Sequence, residues 1–133
     1  MRRQFQLPRM DEDFLAARNL PWEAVVEGST QWVVLHEFLL PPGYNVGKAS
    51  VAVQIVAGYP VSPLDMAYFD PHLSRADGKA IAALSPHAFD GKQWQRWSRH
   101  RTDANPWTPD EDNFGTHVAY VETWLQDELK KNK

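Results

Sequence analysis

The groups available for chemistry in this 133-residue chain are hydroxyls, imidazoles and charged side chains, because it contains no cysteine. The absence of cysteine excludes disulfides, thiolate metal sites and thiol catalysis in this chain. A covalent group-transfer reaction would need another nucleophile, and a hydroxyl becomes a good nucleophile only beside a base. The residues available for that role are Ser74, Ser85, Ser98 and His100. Sequence spacing does not show which of them lie next to one another.

A second candidate stretch, QRWSRHR at Gln95–Arg101, interleaves tryptophan with basic residues. Such a pattern can stack nucleic-acid bases and contact phosphates. The formal net charge of −3 provides no global attraction to nucleic acid or to anionic lipid, so nucleic-acid binding is the minor interpretation. The major interpretation is that Trp94 and Trp97 pack a long loop onto the core while the arginines pair with nearby acids.

The other histidines do not form a metal-binding pattern. His36, His87 and His117 are far apart in the chain, whereas zinc ligands usually come in closely spaced pairs. We therefore expect no metal and no other cofactor. His117 precedes Val118 on a predicted helix, and we interpret it as a residue at the boundary of the core rather than a ligand.

Length and composition predict a single domain over residues 1–133, with residues 1–10 as a loose N-terminal arm. A hydrophobic fraction of 43% with six tryptophans is typical of a packed globule. No apolar run approaches the ~20 residues of a membrane span, and the N-terminus lacks the apolar core of a signal peptide. We therefore expect a cytoplasmic protein with no membrane partner.

Apolar periodicity predicts a short helix followed by an antiparallel meander. Acidic residues at its start and Leu20-Pro21 at its end favour a helix over residues 11–20. Beyond it, β-branched and aromatic residues fall alternately on two faces, as in strands. The four predicted strands cover residues 22–28, 30–41, 50–59 and 64–69.

After the third strand the chain carries a proline-rich flap and then a long helix. Pro60, Pro63 and Pro71 stiffen the flap, which we place at residues 58–84. Thr108-Pro109-Asp110-Glu111 has the form of a capping box. Apolar residues at helical spacing follow it, namely Phe114, Val118, Val121, Leu125 and Leu129. The helix dipole is complemented at its far end by Lys130, Lys131 and Lys133. This order of elements predicts an α+β domain with an amphipathic C-terminal helix.

The same order resembles the ubiquitin-conjugating enzyme (UBC) fold, in which a helix, a four-stranded meander, a proline-rich flap and an active-site stretch follow one another. Tyr59-Pro60 with the nearby Pro63 looks like the family's tyrosine–proline motif. The family places a histidine–proline–asparagine triplet ten residues before its catalytic cysteine. Here His72 matches the histidine, Leu73-Ser74 replaces proline–asparagine, and Ala82 stands where the cysteine belongs.

A closer resemblance is to a bacterial subgroup of this superfamily, found with ubiquitin-like proteins, activating enzymes and deubiquitinase-like peptidases. The matching motifs are LPPGYN (Leu40–Asn45), GYP with LDM (Gly58–Met66), QRWSRHR (Gln95–Arg101) and NPW (Asn105–Trp107). The resemblance implies a ubiquitin-like protein and an activating enzyme as partners. It also allows a target protein or a second conjugating-like subunit.

The chemistry that the resemblance implies needs a thiolate, which accepts an activated C-terminus and passes it to an amine. Alanine at position 82 offers neither a nucleophile nor a proton. Three interpretations follow: a natural non-catalytic variant that binds a ubiquitin-like protein or a partner enzyme, a cysteine-to-alanine form of an enzyme, or an enzyme with another nucleophile. The competing class is an interaction module that has no link to ubiquitin-like proteins.

The resemblance places the catalytic positions at His72, Ser74 and Ala82. His72 also fits a purely structural role in its turn, and Ser74 fits capping of the turn that follows it. We expect Arg99 and His100 to line the groove beside Ala82 and to position the incoming C-terminal tail. The remaining binding candidates are Tyr59, Pro60, Pro63, Trp97, Ser98 and Trp107.

Overall fold

Two helices and one six-stranded sheet make up residues 1–132, the part of the chain that the computed structural model describes. The helices are α1 (Arg9–Arg18) and α2 (Phe114–Lys130). The strands are β1 (Trp22–Glu27), β2 (Thr30–Leu39), β3 (Lys48–Ile55), β4 (Ala67–Asp70), β5 (Leu84–Phe89) and β6 (Lys92–Trp97). Lys133, expected to complement the dipole of the last helix, lies outside the described residues. Neither described helix combines the length and the apolar character that a bilayer crossing requires.

The sheet is antiparallel throughout and has the strand order β1-β2-β3-β4-β6-β5. The α+β class is confirmed, but the prediction of four strands is wrong, and β4 begins at Ala67 rather than at Leu64. The two additional strands form a hairpin in which Phe89 pairs with Lys92 across Asp90-Gly91. Both turn residues have positive φ, 51° and 77°. Asp-Gly is a strong sequence signal for this kind of turn.

Two tryptophans that were predicted to lie in a loop are part of this hairpin. Trp94 and Trp97 both lie on β6, where residues three apart point to opposite faces. Trp97 joins the main core, which also contains the buried sides of both helices. Trp94 joins a second cluster on the opposite face, built from aromatic rings of β2, β4, β5 and β6. The alternation of Leu35 and Val34 between the same two clusters shows that this period-two pattern extends across the sheet.

Both helices begin at residues other than those predicted, and α1 also ends at a different residue. The Asn113 side chain accepts a hydrogen bond from Thr116 N at 3.0 Å, and Asn113 N donates to Thr116 Oγ1 at 2.9 Å. This capping box, and not one at Thr108, starts α2. Thr108 O instead accepts from two backbone N–H groups of a separate turn. α1 lies two residues before the predicted range at both ends, and Asn19 closes it in the left-handed conformation (φ 56°).

The N-terminal arm is attached to β1 and is not loose. Gln4 N donates to Ala24 O at 2.8 Å, and Ala24 N donates to Arg2 O at 2.9 Å. The Arg2 guanidinium also forms ion pairs with Glu23 at 2.9 Å and with Asp90 at 2.7 Å. Since Asp90 lies in the β5–β6 turn, this arginine joins the arm, the first strand and the hairpin.

Candidate functional site

Ala82 is exposed on the segment that leads from β4 to β5. We call residues 75–83 the Ala82 loop. Its first residue, Arg75, pairs with Tyr44 in an isolated antiparallel bridge, and Gly78 N donates to Arg75 O at 3.0 Å. The loop therefore starts from a fixed point and carries position 82 at the surface.

The far end of the Ala82 loop is tied to the residues that follow β6. Ser98 N donates to Ala83 O at 3.0 Å, and Arg99 Nη1 donates to Ala82 O at 3.0 Å. The imidazole of His100 instead lies 2.7 Å from a carboxylate oxygen of Asp65. The Arg99 side chain thus contacts the backbone of Ala82, whereas the His100 side chain is directed to Asp65.

Two side-chain amides, those of Asn45 and Gln95, form hydrogen bonds with the backbone of the segment His72–Ser74. Asn45 Nδ2 donates to His72 O at 3.0 Å, and Ser74 N donates to Asn45 Oδ1 at 2.8 Å. Leu73 N donates to Gln95 Oε1 at 2.9 Å, while Gln95 Nε2 donates to Leu73 O at 3.0 Å. Asn45 and Gln95 lie in the LPPGYN and QRWSRHR motifs, but nothing in the sequence indicated their shared partner.

His72 and Ala82 lie toward opposite ends of β6. The His72 imidazole contacts Gln93 O at 3.1 Å near the start of the strand, whereas the Ala82 loop is bonded to Ser98 just past its end. Five strand residues span about 17 Å. Ser74 does not cap the following turn, because Asp77 does so by accepting from the backbone N–H of Lys79 at 3.0 Å.

The flap is anchored through Tyr59, whose hydroxyl donates to Asp11 Oδ2 at 2.5 Å. The other oxygen of Asp11 accepts from Phe114 N at 3.2 Å. Asp11 therefore joins α1, the flap and the first turn of α2. Burial raises the pKa of Asp11 and also raises the pKa of the Tyr59 phenol. Asp11, the first of three acidic residues at the start of the predicted helix, gave no sign of this role in the sequence.

Three other binding candidates are Pro60 and Pro63 of the flap and Trp107, which lies between β6 and α2. Trp107 Nε1 donates to Pro60 O at 3.0 Å, and the rings of Trp107 and Tyr59 are 6.3 Å apart. Pro63 is exposed three residues after Pro60. Tyr59, Pro60 and Trp107 thus form one group, and the Ala82 loop is tied to a different set of residues.

A family model described as prokaryotic E2 family E matches residues 7–128. The chain belongs to this family. Its two helices and antiparallel sheet are compatible with an E2-like fold, and membership of an E2-like family implies interaction with ubiquitin-like proteins and activating enzymes in general. No curated protein and no solved structure matches the chain.

In this prokaryotic E2 protein the basic residues of QRWSRHR contact the protein itself. Arg96 Nε donates to Ser85 Oγ at 3.0 Å. Arg101 lies over the rings of Trp107 and Tyr120, at 5.3 and 4.7 Å. Trp97, expected to be a binding residue, is fully buried, so it cannot contact a partner. This stretch is not an open basic surface, and its geometry gives no support to nucleic-acid binding.

The candidate hydroxyl nucleophiles lack the base that they would need. Within residues 1–132, no histidine nitrogen is hydrogen bonded to Ser74, Ser85 or Ser98. His36 does contact a serine, Ser50, at 3.0 Å, on the opposite side of the sheet from the helices. Within the described residues, this family member therefore has no serine beside Ala82 that is hydrogen bonded to a histidine.

His117 lies inside the core and not at its boundary, since it is 1% exposed. Its Nε2 lies 2.9 Å from Met66 O, a carbonyl of the flap, so the neutral ring donates this hydrogen bond. Burial lowers the pKa of His117 to about 4. Met66 itself has a positive φ of 59°, which the contact helps to maintain.

Proposed function

We propose that this prokaryotic E2-family protein binds a ubiquitin-like protein delivered by an activating enzyme and presents it at the Ala82 loop without forming a thioester. The observation that carries the proposal is the family match over residues 7–128, combined with alanine at the position that the resemblance assigns to the cysteine. Transfer through a thioester requires a thiolate, which alanine cannot supply. Binding and presentation are the parts of the family role that the chain retains.

Two features of the Ala82 loop support this assignment. Position 82 is exposed, so a C-terminal tail can reach it. Its backbone is held by Arg99 and by the Ser98–Ala83 hydrogen bond, so the surface presented to a partner is preorganised. A preorganised loop loses little conformational entropy on binding, which suits a docking surface.

The proposal predicts that Ala82→Cys restores charging. The protein would be mixed with ATP and with the activating enzyme and ubiquitin-like protein of the same organism, and its intact mass measured. We expect one adduct of the ubiquitin-like protein on the Ala82→Cys form, removable by a reducing thiol, and none on the unaltered chain. Ala80→Cys is the matched control, since it places a thiol at another exposed position of the same loop.

Other outcomes of this experiment would contradict parts of the proposal. An adduct on the unaltered chain would point to a hydroxyl or amine nucleophile. Equal adducts on Ala80→Cys and Ala82→Cys would mean that position 82 has no special role. An absence of adducts together with an absence of binding would leave an interaction module unrelated to ubiquitin-like proteins.

A further inference from the structure

A buried carboxylate lies between two arginines where α2 meets the Ala82 loop. Glu128, near the end of α2, is 1% exposed. Its Oε2 accepts from Arg75 Nη1 at 3.2 Å, and its Oε1 forms ion pairs with Arg99 Nη2 at 3.5 Å and with the exposed Lys131 Nζ at 3.6 Å. Arg75 is the first residue of the loop, and Arg99 is the residue that holds Ala82.

Arg75 shapes the first half of the loop. Its Nη1 donates to Glu128 O at 2.7 Å, so the guanidinium caps the negative end of the α2 dipole. The opposite edge of the guanidinium is bidentate to Asp77, at 3.1 and 2.7 Å. Asp77 also accepts from Lys79 N at 3.0 Å. The backbone from Arg75 to Lys79 is thus folded around the Arg75 guanidinium, which is held in place by the C-terminal end of α2.

Arg99 holds the second half of the Ala82 loop. Besides Ala82 O, it donates to Ser98 O at 3.3 Å, and it lies over the Trp97 ring at 4.9 Å. Its side chain is 17% exposed, against 2% for Arg75. Of the two arginines that approach Glu128, Arg99 is therefore the one that can move into solvent.

We propose that Glu128 is a positioning residue for the Ala82 loop, an inference that rests on the proposed function for the importance of that loop. Two guanidiniums in a poorly solvated site repel each other unless an anion lies between them. Neutralising Glu128 removes that anion and leaves Arg75 in its bonds to Asp77 and the end of α2. Arg99 then turns toward solvent, and the Ala82 carbonyl loses its side-chain donor.

Hydrogen exchange followed by NMR tests this on the free protein. In Glu128→Gln, the Ser98 amide, which bonds Ala83 O, is expected to exchange about tenfold faster relative to the amides of β2 and β3. Asp127→Asn is the matched control, because it removes the same charge one residue away at an exposed site whose ion pair is with Lys130 at 3.7 Å. In that control, the Ser98 amide is expected to keep its protection.

A second variant keeps the inference testable if Glu128→Gln does not fold. Arg99→Ala removes a half-buried side chain at the end of the network and is expected to raise Ser98 exchange by a similar factor. Unchanged relative exchange in either variant would overturn the inference. So would an equal rise for Ser98 and for the β2 and β3 amides, which would make Glu128 a general stabiliser. Since no partner is present, this result is independent of whether the charging assay succeeds.

Discussion

Replacing Asp11 with alanine is expected to lower the free energy of unfolding by about 3 kcal/mol, because two buried donors lose their acceptor. The donors are the Tyr59 hydroxyl and the Phe114 backbone N–H, at 2.5 and 3.2 Å from the carboxylate. Asp11 is 1% exposed, so water cannot replace it without disturbing the packing of both helices. Urea denaturation followed by tryptophan fluorescence measures the change.

Two controls separate the lost acceptor from the lost charge. Asp11→Asn keeps a carbonyl acceptor, and it removes a charge that the fold disfavours, since burial raises the pKa of Asp11 above its usual 3.8. It is expected to cost about 1 kcal/mol or less. Tyr59→Phe leaves the Phe114 bond intact and is expected to cost about 1.5 kcal/mol. Equal losses for Asp11→Ala and Asp11→Asn would show that these hydrogen bonds contribute little.

Acidification from pH 6.5 to about 4 is expected to cost about 3 kcal/mol of stability through His117 alone. Burial lowers the pKa of this imidazole to about 4, whereas in the unfolded chain it titrates near 6.5. Between these values the unfolded chain binds more protons, so stability is fully present above pH 6.5 and falls as the pH falls. Denaturation midpoints in urea, measured at half-unit intervals of pH, report the slope.

His117→Gln is the variant that isolates this effect. Its side-chain amide can still donate to Met66 O, and it does not titrate. We expect the variant to be less stable than the unaltered protein at pH 7 but to lose much less stability between pH 6.5 and 4. A variant with the same pH slope as the unaltered protein would assign the acid sensitivity to other groups.

Asp11 and His117 together hold the flap in a single conformation. Asp11 holds its beginning through Tyr59, and His117 holds the Met66 carbonyl, just before β4. Prolines restrict the backbone of the segment between them. Its position over the sheet, however, comes from these two buried polar contacts with the helices.

Local sequence patterns were enough to predict much of the fold. Alternation of apolar residues predicted β1, β2 and β3, and 3.6-residue spacing predicted α2, because these periods follow from backbone geometry. The β5–β6 hairpin also had a local signal in Asp90-Gly91, but the tryptophans around it were interpreted as loop residues. The family resemblance, carried by short motifs, agrees with the match to prokaryotic E2 family E.

The sequence by itself therefore determined the α+β class, most of the elements, the absence of a thiol and the family. Only the tertiary structure decided which polar groups meet: Asp11 with Tyr59, Gln95 with Leu73, and Glu128 with Arg75 and Arg99. The physical reason is the separation of these partners along the chain. Secondary structure depends on neighbours within a few residues, whereas these partners are 22 to 53 residues apart and lie on elements that only the fold brings together.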